Sequence, residues 1–347
     1  MDDAFVESAA YILSKRSDSQ LMAIDLRGFV GLQSKLAESI VAVERDSRSA
    51  NWVIKNRELI ESLPDSKLLY SLPIRVHRLL GEACVLEPDV ATVRQGMGTF
   101  NDFRFLRLRH EVSVADIHRS GWEPLAKGGA FSFYYSDIHL LLNWKDDGAE
   151  LSAVNIAHNG QDAQVRQASE YWRRSGLTYS KRSQKGFSAR ALPAECIIAG
   201  KGPAILSQSD MSAAYLLGWV NSRFIRWIIE VQANDHEYNT GIVKKVPWVQ
   251  PACADHELTE RTRDVVCRLQ YARSMDETNS CFCPVFDAGS LRKSLEKWSS
   301  LNRDAQVALS NIMAEWDRFI DDLYGVDSQC LQIDDSDGDA PKEEEDE

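Results

Sequence analysis

The sequence predicts an α+β fold, in which a mixed-sheet domain is followed by a helical C-terminal segment and an acidic, disordered tail. Between residues 91 and 190, short strand-like runs are separated by glycine-, arginine- and aromatic-rich loops, without the regular strand–helix alternation of a parallel α/β sheet. Beyond residue 256, apolar residues recur at helical spacing. Apolar residues make up 44% of the 347 residues, which is enough for a packed core over most of the chain.

The N-terminal pattern predicts a hairpin and a helix. Residues 4–14 and 21–26 resemble two strands joined by a polar turn, and Leu32, Leu36 and Ile40 then follow the spacing of an amphipathic helix. A hairpin and one helix cannot bury a core by themselves. We therefore expect residues 1–48 to be the end of a larger unit.

Residues 49–252 are predicted to form one domain of mixed strands and helices. Apolar residues between positions 59 and 80 indicate helix in pieces, interrupted by Pro64 and Pro73. A strand and two hairpins follow, because turn residues separate the apolar runs. The predicted strand covers residues 103–110, and the hairpins pair 130–135 with 138–144 and 196–199 with 203–206. A single helix is expected over residues 212–232.

Residues 253–326 are predicted to be a helical segment. The pattern favours a helix over 256–273, irregular chain over 274–290, and a long amphipathic helix over 304–324 that stops at Gly325. After Asp327 the chain is acidic and has no apolar period. Residues 327–347 are therefore expected to be disordered.

Charge is distributed unevenly along the chain. The net charge is −12, but residues 334–347 contribute −8 of it, so the remainder carries only −4. Between positions 162 and 190, seven Arg or Lys residues outnumber two acids. Local patches govern phosphate binding, so this stretch indicates a surface for a polyanion.

The cysteines and the apolar runs indicate a cytoplasmic protein without a membrane helix. Seven scattered cysteines without a framework spacing, behind an acidic start, are typical of reduced thiols. The longest apolar run, residues 211–231, is broken by Arg223, Arg226 and Glu230. Cys253, His256 and three later cysteines lack the paired spacing of a zinc site, so no metal is expected.

Motifs for bond-breaking chemistry are missing from the sequence. It contains no Asn/Asp-Pro-Pro-aromatic loop, which enzymes that methylate an exocyclic amine use to hold that amine. Gly96-x-Gly98 lacks the third glycine of a dinucleotide loop, and Gly200-Lys201 lacks the flanking residues of a P-loop. No catalytic residue and no cofactor site are therefore predicted in this chain.

The basic and aromatic residues of the middle region predict binding to a polyanion whose phosphates and bases they can contact. Arginine forks, mobile lysines, aromatic faces and glycine turns all suit phosphates and bases. The candidate DNA-binding residues are Arg94, Thr99, Asn101, Lys127, Arg166, Arg173, Arg174, Tyr179, Lys181, Arg182, Lys185 and Arg190. The competing interpretation is a solvated loop with ordinary surface arginines, and Tyr171 and Trp172 fit equally well as core residues.

Several motifs, in order, resemble one family. They are Arg94-Gln95-Gly96-Met97-Gly98-Thr99, Asn101-Asp102-Phe103-Arg104-Phe105, Trp122-Glu123-Pro124 with Lys127-Gly128-Gly129, the 176–180 and 186–190 runs, and Leu216-Leu217-Gly218-Trp219-Val220-Asn221-Ser222. With these motifs the chain resembles the C-terminal half of PglX-like adenine-specific DNA methyltransferases of BREX phage-defence systems. It is more distantly similar to restriction–modification enzymes with a TaqI-like specificity domain.

The resemblance implies double-stranded DNA as the partner and a role in choosing the site to be methylated. In the family, the catalytic and S-adenosylmethionine-binding parts precede the region that resembles residues 4–14. The resemblance therefore implies that residues 1–48 are the remnant of the end of a methyltransferase catalytic domain. The cofactor is therefore expected on a separate or missing catalytic domain, and this chain alone is expected to be inactive. Two alternatives stay open: a subunit that completes a split methyltransferase in trans, and a protein-binding or decoy factor whose acidic tail mimics DNA.

Overall fold

The computed structural model describes residues 20–24, 26, 31–44, 52–56, 72, 74–208, 212–233, 235–251, 255–283 and 290–330. The chain divides into two compact units, Met1–Ala83 and Cys84–Glu347. Helices and mixed sheets occur together, which confirms the predicted α+β class. The predicted boundaries at 48/49, 252/253 and 326/327 stay predictions.

The described residues of the first unit form a two-stranded antiparallel sheet and two helices. Strand β1 (Gln20–Ile24) pairs with β2 (Trp52–Asn56), with Met22 opposite Ile54. Helix α1 (Leu32–Glu44) confirms the predicted amphipathic helix, and α2 (Ile74–Glu82) confirms the last of the predicted helical pieces. The predicted strand over 4–14, its hairpin, and most of the segment 57–73 lie outside the described residues.

The second unit is built on two four-stranded sheets. One has the order β10–β6–β7–β5, in which β10 and β6 are parallel and the other pairs antiparallel. The other, β4–β11–β8–β9, is antiparallel throughout. A short ribbon pairs β3 with β12. The strands are β3 (Cys84–Val85), β4 (Ala91–Arg94), β5 (Leu106–Leu108), β6 (Trp122–Ala126), β7 (Leu140–Asn143), β8 (Gly176–Tyr179), β9 (Ala189–Leu192), β10 (Ile197–Ile198), β11 (Ala204–Ser207) and β12 (Pro247–Trp248).

Both hairpins predicted in this unit are wrong. Residues 130–135 form no strand, and β7 pairs with β5 and β6 instead. Tyr134 lies beside β9, where its N–H donates to Ala189 O at 3.0 Å and its carbonyl accepts from Ala191 N at 2.9 Å. The aromatic run at 131–135 contains the fully buried Tyr134, so part of its apolar character reflects burial in the core.

The segment around Gly200 to Gly202 also departs from a hairpin. Ile198 pairs with Ala126 of the first sheet, whereas Ala204 pairs with Arg94 and Thr178 of the second. The turn therefore carries the chain from one sheet to the other. Two apolar runs separated by glycines predict two strands with a turn between them. They do not predict which other strands each of the two pairs with.

Short and long helices complete the second unit. They are α3 (Leu86–Asp89), α4 (Asp102–Phe105), α5 (Lys145–Asn159), α6 (Ala213–Asn221), α7 (Arg223–Gln232), α8 (Thr240–Lys244), α9 (His256–Arg273) and α10 (Leu291–Tyr324). Helix α4 replaces the start of the strand predicted over 103–110, which shortens to β5. The expected single helix over 212–232 is interrupted at Ser222, whose backbone is extended and whose hydroxyl donates to Trp219 O at 2.7 Å.

The C-terminal helices pack against α6 and anchor it to the second sheet. Helix α9 has the predicted bounds, and α10 begins at Leu291, thirteen residues before the predicted start at 304, and ends at Gly325 in a left-handed conformation (φ 60°). Trp316 is buried between α6 and α9 and donates to Thr262 Oγ1 at 2.8 Å. Near the end of α6, the Asn221 amide exchanges two hydrogen bonds with the backbone of Ala189. Over the described ranges, no helix is both long enough and apolar enough to cross a bilayer.

Candidate nucleic-acid interface

Three glycine-containing loops meet where the two sheets join. Met97 N donates to Ile198 O at 2.9 Å, and Gly200 N donates to Met97 O at 2.7 Å. A Cβ on Gly202 would lie 2.5 Å from Gly128 N, so the loop after β6 lies directly against the turn after β10. We call residues 96–98, 127–129 and 200–202 together the glycine junction.

Two of these glycines are required by the geometry. A Cβ on Gly96 would lie 1.9 Å from Ile198 O, which no side chain can occupy. Gly128 has φ +97°, a conformation that residues with a Cβ rarely adopt. The main chain of the junction is therefore packed more closely than residues with a Cβ would permit, and Lys127 and Lys201 are held on it.

The glycine junction carries two lysines around one carboxylate. Lys127 Nζ contacts Asp102 Oδ2, and Thr99 Oγ1 donates to Asp102 Oδ1. Burial would raise the pKa of Asp102, but the hydrogen bonds from Lys127 and Thr99 and the charges of Lys127 and Lys201 outweigh it and hold that pKa below its usual value. Asp102 is therefore ionised at neutral pH and occupies a cationic site.

The loop before α4 presents aromatic side chains to solvent. Asn101 caps α4 by accepting from Arg104 N at 3.2 Å, and Phe103 in the first turn is 98% exposed. Phe100, with φ +58°, is 55% exposed. An open cleft of about 500 Å³ adjoins this helix. It is lined by Asp102, Phe103, Leu106, Arg107, Leu108, Glu111, Lys127 and Leu140.

Most cations of the basic stretch are paired with carboxylates from elsewhere in the chain. Arg166 pairs with Asp147 at 2.9 Å, Arg173 with Glu123 at 3.2 Å and Lys181 with Glu237 at 3.1 Å. Arg182 contacts Asp235. The excess of positive charge that the sequence shows between 162 and 190 is thus largely compensated in three dimensions.

Arg174 and Lys185 are the exposed cations of this stretch that remain available. Neither has a carboxylate partner among the described residues. The Arg174 guanidinium lies 5.5 Å from the centre of the Tyr171 ring, which holds it without neutralising it. These two side chains can reach a phosphate without first breaking an ion pair.

Tyr179 and Arg190 are buried, so neither side chain reaches a surface in this structure. Arg190 donates to Ala130 O at 2.8 Å and to Ser180 Oγ at 3.1 Å, and Ser180 donates in turn to Gly129 O at 2.9 Å. Burial lowers the pKa of Arg190 to about 10, which leaves it charged at neutral pH. Burial raises the pKa of Tyr179, whose hydroxyl has no partner in the described part of the chain. Arg190 therefore stabilises the loop around Gly129 and Ala130 from its buried side.

Arg94 also has a supporting position. Its guanidinium lies 2.5 Å from Glu87 Oε1 and 4.8 Å from the centre of the Tyr171 ring. Glu87 additionally accepts from Val93 N at 2.9 Å, so the pair fixes the end of β4. Arg94 is half-buried and already bound.

The structure therefore brings together part of the predicted set. Thr99, Asn101 and Lys127 lie at or beside the glycine junction, and Lys181 N donates to Lys201 O there at 3.0 Å. Sequence reasoning missed Lys201 and Phe103 as site residues. The signal for Lys201 was its position between two glycines, whereas the exposure of Phe103 depends on how α4 is oriented.

The cysteines and acids offer no metal centre in the described part of the chain. There, no group of three His, Cys, Asp or Glu side chains is placed to hold an ion. Cys281 and Cys283 are free and exposed, and Cys253 lies outside the described residues.

The chain is homologous, at low identity, to adenine-specific methyltransferases. One relative is PglX of Lacticaseibacillus casei strain Zhang, which is 24% identical over 263 residues, or 70% of this chain and 21% of PglX. Another is BrxX of Escherichia coli O9:H4 strain HS, 27% identical over 153 residues, or 42% of this chain and 12% of BrxX. The chain spans at most about a fifth of the length of these relatives.

Two further comparisons define the limits of this similarity. No family model matches the chain. The solved structure of the type IIL restriction–modification enzyme MmeI in complex with DNA aligns at 15% identity and a TM-score of 0.38, covering 71% of this chain and 34% of MmeI. A likeness at that TM-score does not establish a common fold.

Proposed function

We propose that this chain is the DNA-recognition portion of an adenine-specific methyltransferase that acts in phage defence. It would correspond to the C-terminal, target-recognition half of a PglX-like enzyme and, more distantly, to a TaqI-like specificity domain. The observation that carries the proposal is the 24% identity to PglX over 70% of the chain. The chain would place the enzyme on its DNA site. A catalytic methyltransferase polypeptide or domain would bind S-adenosylmethionine and transfer the methyl group.

The glycine junction supplies the chemistry that this role requires. Lys127 and Lys201 lie on glycine loops that allow main chain to approach an anion closely. Arg174 and Lys185 add exposed charge, and Phe103 offers an apolar ring to a base. Phosphate contacts of this kind position a protein on duplex DNA, while base contacts select the sequence.

Catalysis is assigned elsewhere because the sequence lacks the loop that adenine methylation uses. No Asn/Asp-Pro-Pro-aromatic run occurs anywhere in the 347 residues. Methyl transfer to DNA from labelled S-adenosylmethionine by the purified chain alone would contradict this assignment.

Fluorescence anisotropy with a labelled DNA duplex, at several salt concentrations, tests the proposal directly. We expect binding that weakens as salt rises, because each phosphate contact releases counterions. Lys127→Gln combined with Lys201→Gln should weaken binding at least tenfold at low salt and make the slope of log K against log salt shallower by about 2.

The matched control removes two lysines from α10. Lys293→Gln combined with Lys297→Gln deletes the same charge from exposed positions outside the junction, and should leave the affinity within about twofold. Failure of the unmodified chain to bind any duplex at about 50 mM salt would overturn the proposal.

A further inference from the structure

Asp102 is surrounded by the groups that would bind a phosphate. One carboxylate oxygen accepts from the Thr99 hydroxyl, the other contacts the Lys127 ammonium, and the charge of Lys201 acts on the same carboxylate. Phosphate oxygens accept hydrogen bonds from the same kinds of donor, hydroxyl and ammonium groups. The site is an anion site that the chain fills with its own carboxylate.

The loop beside Lys127 offers two more donors to the same region. Gly129 has φ +125°, and a Cβ placed on it would meet no atom within 4 Å, so open space lies next to it. The N–H groups of Gly129 and Ala130 donate to no acceptor in the described part of the chain. Successive free N–H groups of this kind bind anions.

The charges behind the loop favour an anion as well. Arg190 is buried without a carboxylate partner among the described residues, and its bond to Ala130 O places its positive charge directly under Gly129 and Ala130. Among the described residues, the cations Lys127, Lys201 and Arg190 therefore outnumber Asp102, the carboxylate that contacts the site. The positive charge around the site is therefore larger than the negative charge of Asp102.

We propose that Thr99, Lys127, Lys201 and the Gly129–Ala130 main chain form a phosphodiester site, which Asp102 occupies in the free protein and a DNA phosphate takes over on binding. The inference rests on the proposed function for the identity of the anion. Asp102 is nearly half exposed, whereas Lys127 is 15% exposed, so a phosphate that replaces Asp102 would reach Lys127 from the solvent side that Asp102 now occupies. In this arrangement Asp102 limits non-specific binding, because a phosphate must compete with it for Lys127.

The test is Asp102→Asn in the full chain, measured by anisotropy with duplex DNA across a salt series. The amide keeps the shape of the side chain and can still accept from Thr99 through its oxygen, but its NH2 group cannot accept from Lys127, whose charge is therefore freed. We expect binding to tighten about three- to tenfold at low salt, and the slope of log K against log salt to steepen by about 1.

Glu150→Gln is the matched control. Glu150 pairs with Arg104 of α4 at 2.6 Å and has nearly the same exposure as Asp102, so its removal changes the net charge equally beside the same helix. Its effect should stay below twofold. Equal tightening in both variants would mean that net charge alone explains the effect. Weaker DNA binding by Asp102→Asn would mean that Asp102 holds Lys127 in position for DNA. Either result overturns the inference.

Inorganic phosphate separates this inference from the proposed function. At constant ionic strength, phosphate in place of chloride should raise the melting temperature of Asp102→Asn more than that of the unmodified chain. That shift without any DNA binding would support the anion site and reject the DNA-recognition role. DNA binding by the unmodified chain, with no gain from Asp102→Asn toward DNA or phosphate, would leave the proposed function and reject the inference. If Asp102→Asn fails to fold, Asp102→Ser takes its place.

Discussion

At the scale of single residues, Phe103 and Phe105 show how one short helix divides its side chains between solvent and core. Phe105 is fully buried, whereas Phe103, two positions earlier, is almost fully exposed. Residues two apart on a helix point in widely different directions, so burying one ring directs the other outward. An aromatic ring held in water beside lysines contributes little to folding, and its position suits a ligand.

Phe103→Ala should separate binding from stability. Because the ring is 98% exposed, the free energy of unfolding should change by less than about 0.5 kcal/mol. If the ring stacks on a base or wedges beside one, DNA affinity should fall by about 1–3 kcal/mol in anisotropy measurements. Phe103→Tyr keeps the aromatic face and should retain most of the affinity.

Val114→Ala provides the comparison, since Val114 is another strongly exposed apolar residue of the same unit. Its removal should affect neither quantity. An unchanged affinity in Phe103→Ala would exclude a base contact for this ring.

At the scale of elements, the packing of α6 against α10 depends on one glycine. The ring of Trp316 lies where a Cβ on Gly218 would be, only 1.9 Å from Cε2, and the indole N–H is fixed by Thr262 of α9. Three helices thus meet at a point with no space for a methyl group. The same helix α6 holds β9 through Asn221, so this contact also positions the sheet that supports the glycine junction.

Gly218→Ala should destabilise the second unit by about 1–3 kcal/mol, because the added methyl group overpacks the contact with Trp316. Urea denaturation followed by tryptophan fluorescence measures the loss. Gly241→Ala in α8 is the control, since a Cβ there meets nothing within 4 Å, and it should be neutral or stabilise by up to about 1 kcal/mol. Equal stability of the two variants would show that the helices shift freely at this point.

Local patterns predicted several helices well, but the strands and their partners poorly. The bounds of α9 and the stop of α10 at Gly325 follow from apolar spacing and from a residue suited to a left-handed cap. The pairing of β10 with β6, and of β11 with β4 and β8, joins segments far apart in the chain. Apolar periodicity carries no information on that choice, so both predicted hairpins were wrong.

The residues of the candidate site were also predicted only in part. Thr99, Asn101 and Lys127 were predicted from residue type and lie together, because glycine loops mark places of close backbone approach. Arg173 was predicted as free charge, yet it pairs with Glu123, fifty residues earlier. Whether a cation is available depends on three-dimensional neighbours, which composition within one stretch does not show.

At the scale of the whole molecule, compensation of charge determines how steeply DNA binding should depend on salt. If all seven cations between 162 and 190 contacted phosphates, the slope of log K against log salt would be about −6. Arg174, Lys185, Lys201 and Arg107 have no carboxylate partner in the described part of the chain. Together with Lys127, which the proposed function places on a phosphate, they would make five contacts, which correspond to a slope of about −4.5. The shallower value is the expected one for the intact chain.

Releasing the paired cations should steepen that dependence. Asp235→Asn combined with Glu237→Gln frees Arg182 and Lys181, which lie beside the glycine junction, and should make the slope steeper by up to about 2 in anisotropy measurements. Glu260→Gln combined with Asp264→Asn removes two acids from exposed pairs within α9 and serves as the control. Should both double variants steepen the slope equally, total charge rather than these ion pairs would set the salt dependence. A steeper slope confined to the first variant would mean that the protein keeps part of its cationic surface neutralised until DNA competes for it.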